Sequence, residues 1–213
     1  MKTVPFAIAL SFALLAAGCV SLERSRALND PAVPAVATAQ QVCSNCHGID
    51  GNSTSPNFPR LAAQQPAYLV EQLTTFRNQH RSDPAGFEYM WGLSRHLSDA
   101  QILGLAAYFA AQKPVANRPG NAELAARGAE VFKHGIPAKN IPPCESCHGM
   151  DGRGNGNFPR LAGQHADYLE KQLVVFQRTN ERPEGAVMKT VAHLLTRDNM
   201  VAVANYVQGL APK

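Results

Sequence analysis

The sequence predicts an all-α fold in two tandem domains of similar structure, and three observations lead to this prediction. First, the second half of the 213 residues repeats the first, with Phe-Pro-Arg-Leu-Ala at residues 58–62 and again at residues 158–162. Second, helix-start signals at Ser98 and Thr196 precede apolar residues at helical spacing. Third, no run of residues alternates between apolar and polar side chains as a strand would.

Composition divides the chain into five parts. Residues 1–18 have a basic start and an apolar run, the layout of an export signal of the lipoprotein type. Residues 19–35 are rich in small residues and proline and predict a tether. The first domain is expected at residues 36–113 and the second at residues 121–213. The linker at residues 114–120 contains two prolines, which cannot continue the preceding helix.

The export signal ends in Leu-Ala-Ala-Gly-Cys, which resembles a bacterial lipobox. In this interpretation the chain is cleaved before Cys19, whose thiol carries a diacylglycerol that tethers the protein to a membrane surface. The alternative is ordinary signal cleavage, at the same bond or after Ala39. Lipidation is favoured because Cys19 is the odd one of five cysteines, and an exposed unpaired thiol is a liability in an oxidising compartment. We therefore expect a periplasmic protein anchored to the membrane as a lipoprotein.

Four helices are predicted in chain order. A less regular helix ends at Gln41, and a capping box at Ser98 opens a second helix with an apolar face. In the second domain a helix is expected over residues 122–132, and Thr196 opens the terminal helix. The second domain therefore repeats the helical pattern of the first.

Each domain contains the pentapeptide Cys-x-x-Cys-His, at residues 43–47 and 144–148. This pattern attaches c-type haem, because the two thiols add to the vinyl groups of one porphyrin and the histidine becomes the proximal iron ligand. The motifs predict two covalently bound haem c groups. A buried haem would also supply apolar surface that domains of under about a hundred residues lack. The residues predicted to hold haem are the thiols of Cys43, Cys46, Cys144 and Cys147 and the axial imidazoles of His47 and His148.

A single zinc site made from these four cysteines is the alternative for the motifs. A zinc ribbon needs no histidine directly after each cysteine pair, and its two pairs usually lie closer together in the sequence. A catalytic disulfide would not occur in duplicate with a fixed histidine. Haem attachment is therefore the better supported prediction.

The internal repeat predicts the second axial ligand of each iron. Met90 and Met188 are 98 positions apart, as are Tyr108 and Tyr206. The remaining histidines do not recur in this way, and we expect them at the surface or as supports of the site. They are His80, His96, His134, His165 and His193. A histidine and methionine pair raises the potential of the iron and leaves no open coordination position, so one-electron transfer is expected rather than catalysis.

These residues resemble the cytochrome c4 family, whose members are dihaem proteins. The resemblance covers residues 36–210 and rests on the haem motifs, the repeated Phe-Pro-Arg-Leu-Ala-x-Gln and Tyr-Leu-x-x-Gln-Leu strings, and the paired methionines. It implies two tandem class I cytochrome c domains, each wrapped around one haem. It also implies a periplasmic carrier with a quinol-oxidising complex or another cytochrome as its electron donor and a terminal oxidase as its acceptor.

The resemblance further implies roles for residues beside each haem. Pro59 and Pro159 would offer a backbone carbonyl to the Nδ1 proton of the proximal histidine and so fix its tautomer. Arg60 and Arg160 would pair with haem propionates, or alternatively they are solvated surface charges. The lipobox and an insertion at residues 133–143 depart from the family pattern, and neither affects a predicted ligand.

The charge balance excludes one class of partner. The chain has 20 Lys and Arg against 16 Asp and Glu, a formal net charge of +4. Because positive and negative charges are nearly balanced, we expect no strongly basic face, and nucleic acid is not an expected partner. We expect redox proteins that dock briefly on an apolar patch around an exposed haem edge.

Two other functions remain open at this point. The chain could be a dihaem electron-transfer subunit of a multi-subunit oxidoreductase, similar to the cytochrome subunit of flavocytochrome c sulfide dehydrogenase, in which a partner chain performs the catalysis. A dihaem peroxidase would need an open or displaceable distal position, and methionine at both positions counts against it.

Overall fold

The computed structural model describes residues 26–118 and 120–211. Within these ranges the protein is helical and contains no strand, and its two isolated bridges both lie in the second domain. The predicted all-α fold is therefore confirmed. None of the helices in this part of the chain is long and apolar enough to cross a membrane. The predicted signal peptide and Cys19 lie outside the described residues.

The first domain begins with one helical path that leads into the first haem motif. Its helical segments are α1 (Ala35–Thr38), a π-helical turn (Ala39–Cys43), α2 (Ser44–His47), α3 (Pro66–Arg77), a second π-helical turn (Gly86–Met90), α4 (Trp91–Ser94) and α5 (Asp99–Ala110). The helix that the sequence placed up to Gln41 thus continues to His47. The π-helical turn changes the number of residues per turn, which makes the apolar periodicity of this helix irregular.

The second domain repeats this order, with 3₁₀ turns where the first domain has π-helical turns. Its helical segments are α6 (Ala122–His134), a 3₁₀ turn (Pro137–Lys139), α7 (Glu145–His148), α8 (Ala166–Arg178), a second 3₁₀ turn (Pro183–Gly185), α9 (Ala186–Ala192) and α10 (Arg197–Gly209). The helix predicted over residues 122–132 is therefore α6, which ends two residues later. The insertion at residues 133–143 contains the end of α6, the first 3₁₀ turn and the segment that returns to α7.

The capping box predicted at Ser98 is present at the start of α5, and α10 begins at Thr196 as predicted. The hydroxyl of Ser98 accepts a hydrogen bond from the backbone N–H of Gln101, whose side chain accepts one from the backbone N–H of Ser98. Thr196 and Asn199 make the same exchange at the start of α10. Each box satisfies two backbone donors that would otherwise lack a partner, which fixes where the helix begins.

In each domain the first helix crosses the last at a glycine. A Cβ atom on Gly128 of α6 would overlap the backbone carbonyl of Ala202 in α10, and a Cβ on Gly104 of α5 would overlap the side chain of Ala35 in α1. The backbones can approach this closely only because no side chain intervenes. These crossings pack the first and last helices of each domain directly against each other.

Candidate functional site

The residues of each haem motif share one face of a helix. Cys43, Cys46 and His47 are spaced by three and four residues along the helical path that ends at His47, and side chains at these spacings point to the same side. The second motif has the same arrangement at α7. All four motif thiols are free of disulfide bonds. Each domain therefore presents two thiols and one imidazole to the same space.

The two motif histidines are buried and held in one tautomer. Nδ1 of His47 lies 2.8 Å from the carbonyl oxygen of Pro59, and Nδ1 of His148 lies 2.9 Å from that of Pro159. A carbonyl can only accept, so Nδ1 carries the proton and Nε2 offers its lone pair to a metal. Burial lowers the pKa of both imidazoles and outweighs the opposing effect of these hydrogen bonds. The histidines are therefore neutral, which is the form that binds iron.

The motif thiols do not have the properties of a zinc site or a redox disulfide. Burial raises the pKa of the Cys43 and Cys144 thiols to about 11, whereas reactive redox cysteines have a lowered pKa. Within residues 26–118 and 120–211 no three or more His, Cys, Asp or Glu side chains converge as metal ligands. The zinc alternative required all four thiols at one point, and it is wrong.

Both predicted ligand sets open into one cavity that runs across the two domains. Its volume is about 790 Å³, within the roughly 300–1,000 Å³ of cofactor sites. Met90 reaches the cavity from the end of the second π-helical turn, and Met188 reaches it from α9. The motif residues also line it. Leu69, Phe76, Leu169 and Phe176 are among the apolar side chains of its wall.

The arginines that follow Pro59 and Pro159 also line this cavity, and both are buried. The guanidinium of Arg60 donates to the backbone carbonyls of Ser53 and Val115. That of Arg160 reaches across the domain boundary to the carbonyl of Ala62. The interpretation of these arginines as solvated surface charges is therefore wrong.

The cavity contains buried positive charge without a salt bridge, and the carboxylates of a haem would complement it. Nε of Arg160 is buried without a hydrogen-bond partner. Burial, together with the positive charge of Arg60, lowers the pKa of Arg160 to about 10. The salt bridges within the described ranges include neither arginine. Two buried cations without a salt bridge, of which Arg60 has only the more distant charge of Asp50, would be stabilised by anions in the cavity.

A second buried group, missed by the sequence reasoning, joins the domains near the cavity. Arg81 pairs with Asp83 in its own domain and donates to Gln172 of the other domain at 3.2 Å. Arg182 of the second domain donates in turn to Gln72 of the first domain, at 2.9 Å. The signal was present in the repeat, because a glutamine recurs at the same position of α3 and α8, on a face that is otherwise apolar.

Comparison with known proteins agrees with this geometry. The cytochrome c family model matches residues 34–113 and 125–211, one haem motif in each segment. Cytochrome c4 of Pseudomonas aeruginosa is 38% identical over 173 residues, covering 79% of this chain and 84% of the relative. A thiosulfate dehydrogenase electron acceptor of Stutzerimonas stutzeri is 36% identical over 180 residues, covering 82% of each chain. The structure of reduced recombinant cytochrome c4 from Pseudomonas stutzeri has a TM-score of 0.74 at 36% identity and covers 85% of this chain and 99% of that chain.

Proposed function

Since this chain belongs to the cytochrome c family and, within it, to the cytochrome c4 group, we propose that it is a periplasmic carrier that passes single electrons between respiratory proteins toward a terminal oxidase. It is a dihaem electron-transfer cytochrome with two covalent haem c groups. One observation carries the proposal. In both domains a buried neutral histidine, two thiols and a methionine line the same cavity.

The chain's own residues hold and tune the two groups. Each haem, when bound, supplies an iron that changes between the ferrous and ferric states by one electron. His47 and His148 would hold the iron through Nε2 while the proline carbonyls fix their orientation, and Met90 and Met188, which line the same cavity, would supply the second protein ligand of each iron. With a histidine and a methionine both committed to each iron, the site would offer no open coordination position to a substrate, which supports a carrier over an enzyme.

The haem propionates would bind at the two buried arginines. Arg60 and Arg160 lie at the domain boundary and have no salt-bridge partner among the described residues. Propionates directed toward these arginines would bring both groups to the shared part of the cavity. Electrons could then cross between the domains without leaving the protein.

A redox titration tests the axial assignment. We expect two one-electron transitions and, in the ferric protein, the red absorption band that arises from methionine bound to iron. Met90→His should lower the potential of the first haem, because histidine stabilises ferric iron better than methionine does. Met188→His should lower that of the second haem only. A ferric spectrum without the methionine band, or with a high-spin signal, would contradict the assignment and favour a peroxidase.

The proposed location rests on the lipobox of the sequence. Lipidation of Cys19 would hold the carrier at the periplasmic face of a membrane, near quinol-oxidising and oxygen-reducing complexes. Cys19→Ala should move the protein from the membrane fraction to the soluble periplasmic fraction without changing its haem content. Equal release of both forms by an osmotic shock would instead indicate ordinary signal cleavage.

A second candidate function is supported by one of the relatives. The Stutzerimonas protein is named as an electron acceptor of thiosulfate dehydrogenase, so this chain could also serve as the dihaem electron-transfer partner of a dehydrogenase. Purified protein mixed with a thiosulfate dehydrogenase should then be reduced when thiosulfate is added. A flavoprotein that copurifies at fixed stoichiometry would indicate the flavocytochrome arrangement instead.

A further inference from the structure

Two buried glutamines connect the domains by a reciprocal exchange of hydrogen bonds. Oε1 of Gln164 accepts from the backbone N–H of Arg60 at 2.8 Å, and its Nε2 donates to the carbonyl of Arg60 at 3.0 Å. Gln64 makes the same pair of bonds with Arg160, at 2.6 and 3.1 Å. Each glutamine therefore pairs with the main chain of the opposite domain. Both side chains are buried in the interface.

The paired backbone groups are the ones that support the proximal histidines. The carbonyl of Pro59 and the N–H of Arg60 belong to one peptide group. That carbonyl accepts from Nδ1 of His47, while the N–H donates to Gln164 of the other domain. The result is an unbroken chain from the imidazole of the first domain, through one peptide, to a side chain of the second.

The second domain has the mirror arrangement. Nδ1 of His148 donates to the carbonyl of Pro159, and the N–H of the same peptide, contributed by Arg160, donates to Gln64 of the first domain. The two series of hydrogen bonds run in opposite directions across the interface. Each proximal histidine is thus supported by a glutamine that belongs to the other domain.

We propose that Gln164 tunes the reduction potential of the haem held by His47, and that Gln64 tunes that of the haem held by His148. A peptide whose N–H donates a strong hydrogen bond has a more negative carbonyl oxygen, because linked hydrogen bonds polarise one another. The histidine that donates to this oxygen becomes a more basic ligand. A more basic ligand stabilises ferric iron and lowers the potential. The glutamines are positioning residues that act through the peptide.

This inference rests on the proposed axial role of the two histidines. It goes beyond that role because it makes the potential of each haem depend on the docking of the opposite domain. A partner that shifted the domains relative to each other would lengthen both hydrogen bonds and change both potentials. The interface would then regulate the carrier as well as hold it together.

The test compares variants of the full-length, haem-loaded protein. Gln164→Leu removes the acceptor from the N–H of Arg60, so we expect the potential of the first haem to rise. At a fixed ambient potential, the ratio of ferrous to ferric iron in this haem should increase about threefold. That is about 28 mV, since tenfold is about 59 mV for one electron. The second haem should not change. Gln64→Leu should give the opposite pattern, a rise at the second haem alone.

A conservative variant and a matched control separate tuning from loss of packing. Gln164→Glu keeps an oxygen acceptor for the N–H of Arg60, so it should not raise the potential of the first haem. Gln65→Ala removes another cross-domain hydrogen bond, from its Nε2 to the carbonyl of Arg153 at 2.8 Å, without touching either histidine-bearing peptide. It should leave both potentials unchanged.

A second measurement follows the hydrogen bond itself. In the reduced, diamagnetic protein the Nδ1 proton of His47 should move upfield in the NMR spectrum of Gln164→Leu, while that of His148 stays in place. If each variant shifts its own domain's haem, shifts both haems equally, or shifts neither, the proposal is wrong. If the wild type itself lacks histidine and methionine ligation, the proposed function fails first, and its spectrum shows this before any variant is compared.

Discussion

The buried ion pair between Arg81 and Asp83 sets the expected cost of one substitution at the domain interface. Their side chains are 4% and 1% exposed, and the guanidinium contacts both carboxylate oxygens, at 2.7 and 3.3 Å. Arg81→Met would leave the carboxylate with only the amide of Gln172 as a hydrogen-bond donor, at 3.5 Å, and with the charge of Arg182 outside hydrogen-bond reach. Gln72 keeps a partner, because Arg182 also donates to it. The substitution therefore mainly isolates one buried negative charge, which costs about 3–5 kcal/mol.

A double variant shows whether this cost comes from the isolated charge. Arg81→Met should lower the free energy of unfolding by that amount in guanidinium chloride, followed by far-UV circular dichroism at neutral pH. Arg81→Met combined with Asp83→Leu removes both charges and should recover most of the loss, since an apolar pair of similar volume is often as stable as a buried ion pair. A single variant within about 0.5 kcal/mol of the wild type, which is within the range of ordinary surface substitutions, would refute the reasoning, as would a double variant that recovers nothing.

The same pair predicts a pH dependence. Burial raises the pKa of Asp83, but the hydrogen bond and charge of Arg81 outweigh this, so the folded-state pKa lies below the ordinary value, which is about 3.9. A lowered pKa contributes stability that is present above the unfolded pKa and is lost as the pH falls through the folded pKa. The wild type should therefore exceed Asp83→Asn in unfolding free energy at pH 7, and the difference should shrink below about pH 4. An equal difference at pH 3 and pH 7 would contradict the assignment.

Two further predictions concern the helices that frame the haem motifs. Gly128→Ala should destabilise the second domain by about 1–3 kcal/mol, because its Cβ would overlap the carbonyl of Ala202. Gly92→Ala is the matched control, since its Cβ meets nothing within 4 Å. Thermal unfolding should show a drop in Tm for Gly128→Ala alone. Ser98→Ala removes the hydroxyl that caps α5 at the N–H of Gln101 and should cost about 1 kcal/mol in chemical denaturation, whereas Ser98→Thr should retain most of the stability.

The helix starts could be predicted from the sequence because they depend on local chemistry. The capping box at Ser98 and the helix start at Thr196 were each predicted from a few consecutive residues, and the structure has both. The helix placed up to Gln41 was predicted too short, because the π-helical turn that carries it to His47 shifts the apolar positions off a 3.6-residue period. Local patterns therefore identified the first and last helices of each domain but not α3 and α8, and the departure from ideal geometry occurred beside the haem motif.

The cross-domain contacts could not be predicted from the sequence in the same way. The repeat made Gln64 and Gln164 visible as recurring residues, but their partners are backbone groups about a hundred positions away. A backbone N–H has no residue-type signature, so only the relative placement of the domains reveals the pair. The burial of Arg60 and Arg160 was hidden for the same reason, since a lone arginine is ordinarily a surface residue.

The duplication has a consequence for the two haems that follows from the symmetry of the interface. When two similar domains face each other about a two-fold axis, each contact occurs twice with the partners exchanged. The glutamine pairs obey this rule, but one neighbouring pair has diverged. Gln65 donates to the carbonyl of Arg153, while its counterpart His165 places Nε2 2.9 Å from the carbonyl of Ser53. Since the bond of Gln65 is expected to leave both potentials unchanged, a difference between two irons with the same ligands would originate on the His165 side of this pair or at other positions where the domains differ.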